Sequence, residues 1–285
     1  MHTHPTDEPA GFVDGWQEGH LLANGIGIHY YRTGGNKPPL ILAHGVTDNG
    51  LCWRRVALAL QADFDLIMVD ARGHGRSDKP PTGYTYENFA ADLAAFIQEM
   101  ELGAAAVMGH SMGAFTAMVT AAQHPHLISK LILEDPPLMS EQAAAELAER
   151  FTQGAAMFSM MQEQPVAAIM QFAQQMNSDW HEMEFPAWAE SKKQFASQVF
   201  PELGVAATQV DWRALIRQLT MPTLLITADN TPRPSGPAIV TPEIAAAAVA
   251  LNPGIKLAYL PDAGHNIRRE QFDLFMQTIR PFLTT

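Results

Sequence analysis

Short apolar runs alternate along this chain with longer amphipathic stretches, and the two periods predict which segments are strands and which are helices. Trp16 to Leu22 and Ile26 to Arg32 flank Asn24-Gly25, a pair that accepts the left-handed backbone of a tight hairpin turn. An antiparallel hairpin therefore opens the sheet. Leu40 to Ala43, Asp65 to Asp70, Ala104 to Met108, Leu127 to Leu133, Pro222 to Thr227 and Ile255 to Leu260 read as six further strands, several apolar enough to be buried on both faces. Trp53 to Leu60 reads as a short helix. Thr85 can cap a longer one to about Met100, with Phe89, Leu93, Phe96, Ile97 and Met100 on one face. Ala114 to His124, a start at Thr241-Pro242-Glu243, and a closing stretch with Phe272, Phe275, Met276 and Ile279 complete the alternation. Eight strands interleaved with helices imply an α/β fold with a mostly parallel sheet and right-handed crossovers.

Residues 1–13 read as a loose leader. From Ser140 to Leu219 the texture becomes helical, with breaks expected at Gly154, Pro165, Pro186, Pro201 and Gly204. This divides the chain into a core of residues 1–137 and 220–285 and an inserted helical cap of residues 138–219. Seven of the fifteen methionines lie between Met139 and Met183. Methionine fills irregular apolar space, so Met139, Met157 and Met161 are candidates for a pocket wall, unless they only pack the cap helices together.

At 285 residues, 47% hydrophobic and 17% charged, the composition is that of a globular enzyme. A net charge of −12 argues against nucleic acid or an anionic membrane as partner, since both require clustered Lys and Arg. No apolar run approaches the length of a membrane span, and Met1 to Pro9 lacks the pattern of a secretory signal. A single cysteine, Cys52, fits a reducing compartment, and a cytoplasmic, monomeric or homodimeric protein is expected.

The chemistry concentrates at Gly109-His110-Ser111-Met112-Gly113, between an apolar strand and a helix. A serine in so sharp a strand-to-helix turn is lifted clear of the sheet, and the flanking glycines remove side chains that would collide. With His44-Gly45-Val46 after the strand at 40–43, and Asp70-Ala-Arg-Gly-His-Gly-Arg-Ser77 after the next, the chain resembles the α/β-hydrolase superfamily from Gly15 to about Phe282. The resemblance implies Ser111 as nucleophile, His265 after the last strand as base, and the amides of Val46 and Met112 as oxyanion donors. His110 joins the candidate substrate contacts. Asp70, His74 and His44 are read as structural. The resemblance implies no metal or cofactor.

The acid is less obvious. Many members of the superfamily carry it as Gly-x-x-Asp after the penultimate strand; here that stretch is Thr227-Ala-Asp229-Asn-Thr231, and a threonine occupies the acid's place. Asp135, after the strand following the nucleophile helix, is the preferred acid, with Asp229 and Glu134 as alternatives. A carboxylate there is a feature shared with the (2-acetamidomethylene)succinate hydrolase and zearalenone lactonase families. The reaction expected is hydrolysis of a small-molecule carboxylic ester or lactone through an acyl-enzyme. C–C bond or amide hydrolysis by the same residues is the alternative, and a receptor that binds without turnover is a more distant one.

Overall fold

The computed structural model describes residues 9–229, 231–234 and 236–285. Eight strands form one sheet: β1 (Gln17–Ala23), β2 (Ile26–Arg32), β3 (Pro39–Ala43), β4 (Asp65–Val69), β5 (Ala105–His110), β6 (Ile128–Glu134), β7 (Thr223–Ala228) and β8 (Ile255–Leu260). Their order is β1-β2-β4-β3-β5-β6-β7-β8. The hairpin pairs antiparallel, β2 joins β4 antiparallel, and every pairing from β4 to β8 is parallel. Asn24 and Gly25 both have positive φ, 52° and 74°, as the two-residue turn demands.

Alternate strand residues feed opposite faces. Ile41, Ile67, Val107, Leu131, Leu133 and Leu225 join one buried cluster. Their neighbours Leu40, Leu42, Leu66, Met68, Met108, Ile132 and Leu224 join the other. Helices α2 (Tyr86–Glu99), α3 (Met112–Gln123) and α9 (Pro242–Leu251) cover the first face; α1 (Arg54–Leu60) and α11 (Phe272–Thr284) cover the second. A short helix, α10 (Ile267–Glu270), precedes α11. With both faces covered, β4 and β5 have no exposed residue. The carboxyl ends of β3, β5, β6 and β8 then open on one edge, where α/β sheets place their sites.

Five helices lie between β6 and β7: α4 (Glu141–Glu163), α5 (Val166–Met176), α6 (Phe185–Lys193), α7 (Val199–Gln209) and α8 (Trp212–Gln218). Three expected breaks do not occur. Helix α4 runs through Gly154, and α7 runs through Pro201 and Gly204. Pro201 sits in the first turn, where a missing N–H costs nothing. Gly204 is where α7 meets α4, since a Cβ there would lie 3.0 Å from the Ala148 Cα. A further correction concerns the leader. Residues 1–8 lie outside the described part, but Pro9 is buried, Phe12 and Val13 pack on the second cluster, and the Ala10 amide donates to the Glu190 carboxylate at 2.5 Å. Apolar side chains at 12 and 13 hold this segment against the core.

Candidate active site

Ser111 follows β5 and caps α3 with φ 51° and ψ −118°, a conformation that L residues rarely adopt. The glycines on either side are sterically required. A Cβ on Gly113 would sit 2.2 Å from the Ala43 carbonyl oxygen, and one on Gly109 would sit 2.5 Å from the Ala114 nitrogen. The Ser111 amide donates to the Glu134 carbonyl at 2.9 Å, tying the turn to the end of β6. Thr47 and Asp135 also have positive φ, 71° and 42°. Three loops at one edge of the sheet thus carry backbone strain, which persists only where surrounding structure over-determines it.

Asp135 is fully buried just beyond β6. Its Oδ2 accepts from His265 Nδ1 at 2.6 Å, and its carboxylate also accepts from the Ile239 and Val240 amides at 2.9 to 3.1 Å. Those amides belong to the Pro-rich stretch after β7. The His265 amide donates to the Gly236 carbonyl of the same stretch at 3.1 Å, so one loop orients both members of the pair. With Nδ1 directed at the carboxylate, His265 presents Nε2 as its free ring atom.

The loop after β3 is held by histidine and aspartate side chains. His44 Nδ1 donates to the Gly45 carbonyl at 2.8 Å, and its Nε2 accepts from the Ala71 amide at 3.0 Å. Asp70 accepts from the Gly50 and Arg76 amides at 2.6 and 2.9 Å and from His29 Nδ1 at 2.9 Å. Burial lowers the pKa of both His44 and His74. These neutral rings support the loop that carries Val46. Met112 is the first residue of α3, where a backbone N–H has no acceptor within the helix.

Beneath the site lies a cluster of six buried charges that no stretch of sequence suggests. Asp48 receives Lys192 Nζ at 3.1 Å, Arg268 at 3.4 Å and Arg269 at 2.8 Å. Arg268 also binds Glu134 at 3.0 Å, and Arg269 binds Glu184 at 3.4 Å. Three acids and three bases cancel. Burial alone would raise the Asp48 carboxyl, but Arg269, Lys192 and Arg268 hold it well below the usual range. Arg268 and Lys192 further stack on Trp53 and Trp188 at 4.1 and 4.3 Å. The cluster joins the Val46 loop, the end of β6, α6, and α10 beside His265.

Two cavities meet at this centre, sharing Val46, Ser111 and His265. The larger, about 630 Å³, is walled by the 236–241 stretch and by α4, with Met139, Leu147, Phe151 and Leu203 among its apolar surfaces. Arg150 is the one Lys or Arg among its lining residues. The smaller, about 130 Å³, has polar and apolar surface in about equal measure, with His110 and Arg269 among its polar groups and Val46 and Trp188 among its apolar ones.

Most of the expected site residues converge here, and four do not. Glu134 is fully buried against Arg268, with no route to His265. Asp229 accepts from Thr231 Oγ1 at 2.7 Å and turns a local loop. Met161 packs on the core cluster away from either cavity. Met157 is 71% exposed, and its expected place in the pocket is wrong: the inward positions of that turn belong to Phe151, Ala155 and Phe158. Met139 lines the larger cavity and His110 the smaller. Residues 239 and 240, whose amides hold Asp135, were not foreseen; neither were Asp48, Lys192, Arg268 and Arg269.

Comparison with known proteins agrees with this architecture. A family model described as alpha/beta hydrolase fold matches residues 38–268. The 2-(acetamidomethylene)succinate hydrolase of Mesorhizobium japonicum is 35% identical over 128 residues, 45% of this chain and 46% of that protein, so the match spans less than half of the relative's length. The N-formylmaleamate deformylase of Pseudomonas putida is 29% identical over 274 residues, 93% of this chain and 96% of that one. The crystal structure of E-2-(acetamidomethylene)succinate hydrolase superposes with a TM-score of 0.81 over 95% of this chain and all of that chain at 23% identity, a likeness of fold. Strand order, elbow and family match together make this chain a member of the α/β-hydrolase fold family.

Proposed function

We propose that the protein is a serine hydrolase that cleaves the acyl–nitrogen bond of a small N-acylated carboxylate. The 2.6 Å contact between His265 and Asp135, beside a cavity that both His265 and Ser111 line, carries this reading. A neutral serine needs a base to take its proton as it attacks, and an imidazole needs a carboxylate to fix its tautomer and stabilise its cation. Ser111 Oγ adds to the acyl carbon while His265 Nε2 takes the hydroxyl proton. The Val46 and Met112 amides receive the oxyanion. His265 then protonates the departing nitrogen, and water, activated by the same ring, releases the acid. The two relatives named above are, by their names, enzymes of an acetamido and an N-formyl compound that each carry carboxylate groups. Arg150 supports the same class here, as a guanidinium able to receive a carboxylate, carried on α4 with Glu146 and with the apolar Leu147 and Phe151.

An ester or lactone is the second reading, favoured by the apolar wall of Leu147, Phe151 and Leu203. The test is a panel of N-formyl and N-acetyl aminoacrylates and aminosuccinates, p-nitrophenyl esters and lactones, assayed with the wild type and with Ser111→Ala. The wild type is expected to show its highest kcat/KM on an N-acyl carboxylate, and the variant to lose roughly 10⁴-fold or more on every substrate. Highest kcat/KM on a lactone would transfer the assignment to the second reading. Retained turnover in Ser111→Ala would refute both.

A further inference from the structure

The smaller cavity has no task in the substrate binding described so far. It reaches Ser111 and His265 independently of the larger one, through Gly45, Thr47, Asp48, His110, Asn266 and Arg269. His110 is the informative side chain. Its Nε2 lies 2.9 Å from the His265 carbonyl, which can only accept, so Nε2 carries the proton and Nδ1 is a bare lone pair. Nδ1 has no hydrogen-bond partner among the described residues although His110 is 3% exposed. It faces the loop side of the cavity, where a Cβ on Gly45 would lie 2.7 Å from it. Burial, with Arg268 and His265 beside it, keeps the ring neutral.

The charges around the cavity exclude an anion as its occupant. Arg269 is matched by Asp48 and Glu184, and Lys192 by Asp48, so no net positive charge remains to attract one. A lone pair on His110 repels carboxylate oxygen and accepts from O–H. A volume of about 130 Å³ has room for roughly four waters at liquid density. We propose that this chamber supplies the water that hydrolyses the acyl-enzyme, with His110 Nδ1 as the acceptor that positions it. The inference rests on the Ser111 acyl-enzyme proposed above. The held water gives one proton to His265 Nε2 as its oxygen bonds to the acyl carbon. The carbon–Oγ bond then breaks, and the imidazolium returns the proton to Ser111. An acyl chain filling the larger cavity leaves this route open.

The test separates the two half-reactions by stopped-flow measurement with p-nitrophenyl acetate. His110→Leu and His110→Asn both lose the contact to the His265 carbonyl, but only asparagine restores an acceptor near Nδ1. In His110→Leu the acylation burst is expected to stay within about twofold of wild type while deacylation falls about tenfold, the worth of one lost hydrogen bond. His110→Asn should recover most of that loss. Equal losses in both phases, or equal deacylation in the two variants, would overturn the role of His110. On the wild type acylated from p-nitrophenyl decanoate, whose chain occupies the larger cavity, methanol should compete with water for the acyl-enzyme and benzyl alcohol, too large for the chamber, should not; competition by both would overturn the route. A fluorophosphonate that fails to label Ser111 would instead mark the failure of the acyl-enzyme reading itself.

Discussion

The site has two walls built on opposite terms. On the core side, Ser111, Asp135 and Thr47 sit in strained backbone, Asp135 takes three hydrogen bonds, and six buried charges are matched pairwise. On the side of the inserted helices, α4 turns Met157 and Met160 to solvent and offers the cavity mostly aliphatic and aromatic surface. Hydrogen bonds and ion pairs hold atoms to a few tenths of an ångström, whereas apolar contact tolerates change of shape. Chemistry needs the former and selection of a substrate the latter. On the reading proposed above, substitutions on α4 would change what is accepted without disturbing the hydrogen-bonded wall.

The largest expected effect tests the core wall at its centre. Asp135→Asn should lower kcat by about 10³–10⁴, as for other acids that orient a catalytic histidine, and Asp229→Asn by less than about threefold. Comparable losses in the two would move the acid to the later loop and remove the reason for the strained turn at 135. Next comes the charge cluster. Asp48→Ala leaves Lys192 and Arg269 without their shared carboxylate, and urea denaturation should register about 3–5 kcal/mol of lost stability. A loss below about 1 kcal/mol would mean that the cluster is solvated and positions nothing.

A third effect is one of pH. Burial lowers the pKa of His44, His74 and His110 below the ordinary 6.5, so the unfolded chain binds protons that the folded one refuses. Their contribution to stability is complete above pH 6.5 and declines as pH falls below it, by up to about 1.4 kcal/mol per histidine per pH unit. The urea midpoint should drop between pH 7 and pH 5.5, and should drop less in His74→Gln, which removes one of the three. An unchanged midpoint would contradict the neutral rings. The smallest effect belongs to the other wall. Met157→Ser should change KM by less than twofold and stability by less than about 0.5 kcal/mol, as at an exposed position without partners.

The strands, the hairpin and the glycine-flanked turn at Ser111 were legible because each is written in contiguous residues with a period or a required glycine. Helix ends were legible where a cap was present: Thr85 and Thr241 accept from the Asn88 and Ile244 amides as expected. Gly154 and Gly204 misled because a single glycine weakens a helix by about 1 kcal/mol, less than packing against a neighbour restores. The charge cluster was invisible for another reason. Asp48, Lys192, Arg268 and Arg269 lie far apart in the chain, and each alone looks like a solvated surface charge. Methionine composition predicted an adaptable wall but could not say which residues would face it: Met139, just before α4, lines the larger cavity, and Met157, on α4, faces solvent.

The absence of an acid at position 231 and the presence of a proline-rich stretch beside it read as two separate departures from the family pattern. The hydrogen bonds join them: the segment with a threonine in the usual acid's place supplies the amides of Ile239 and Val240 that clamp the carboxylate of Asp135 beyond β6. Anyone grafting this acid onto another scaffold must carry both pieces, because an aspartate transplanted without its clamp arrives with nothing to aim it.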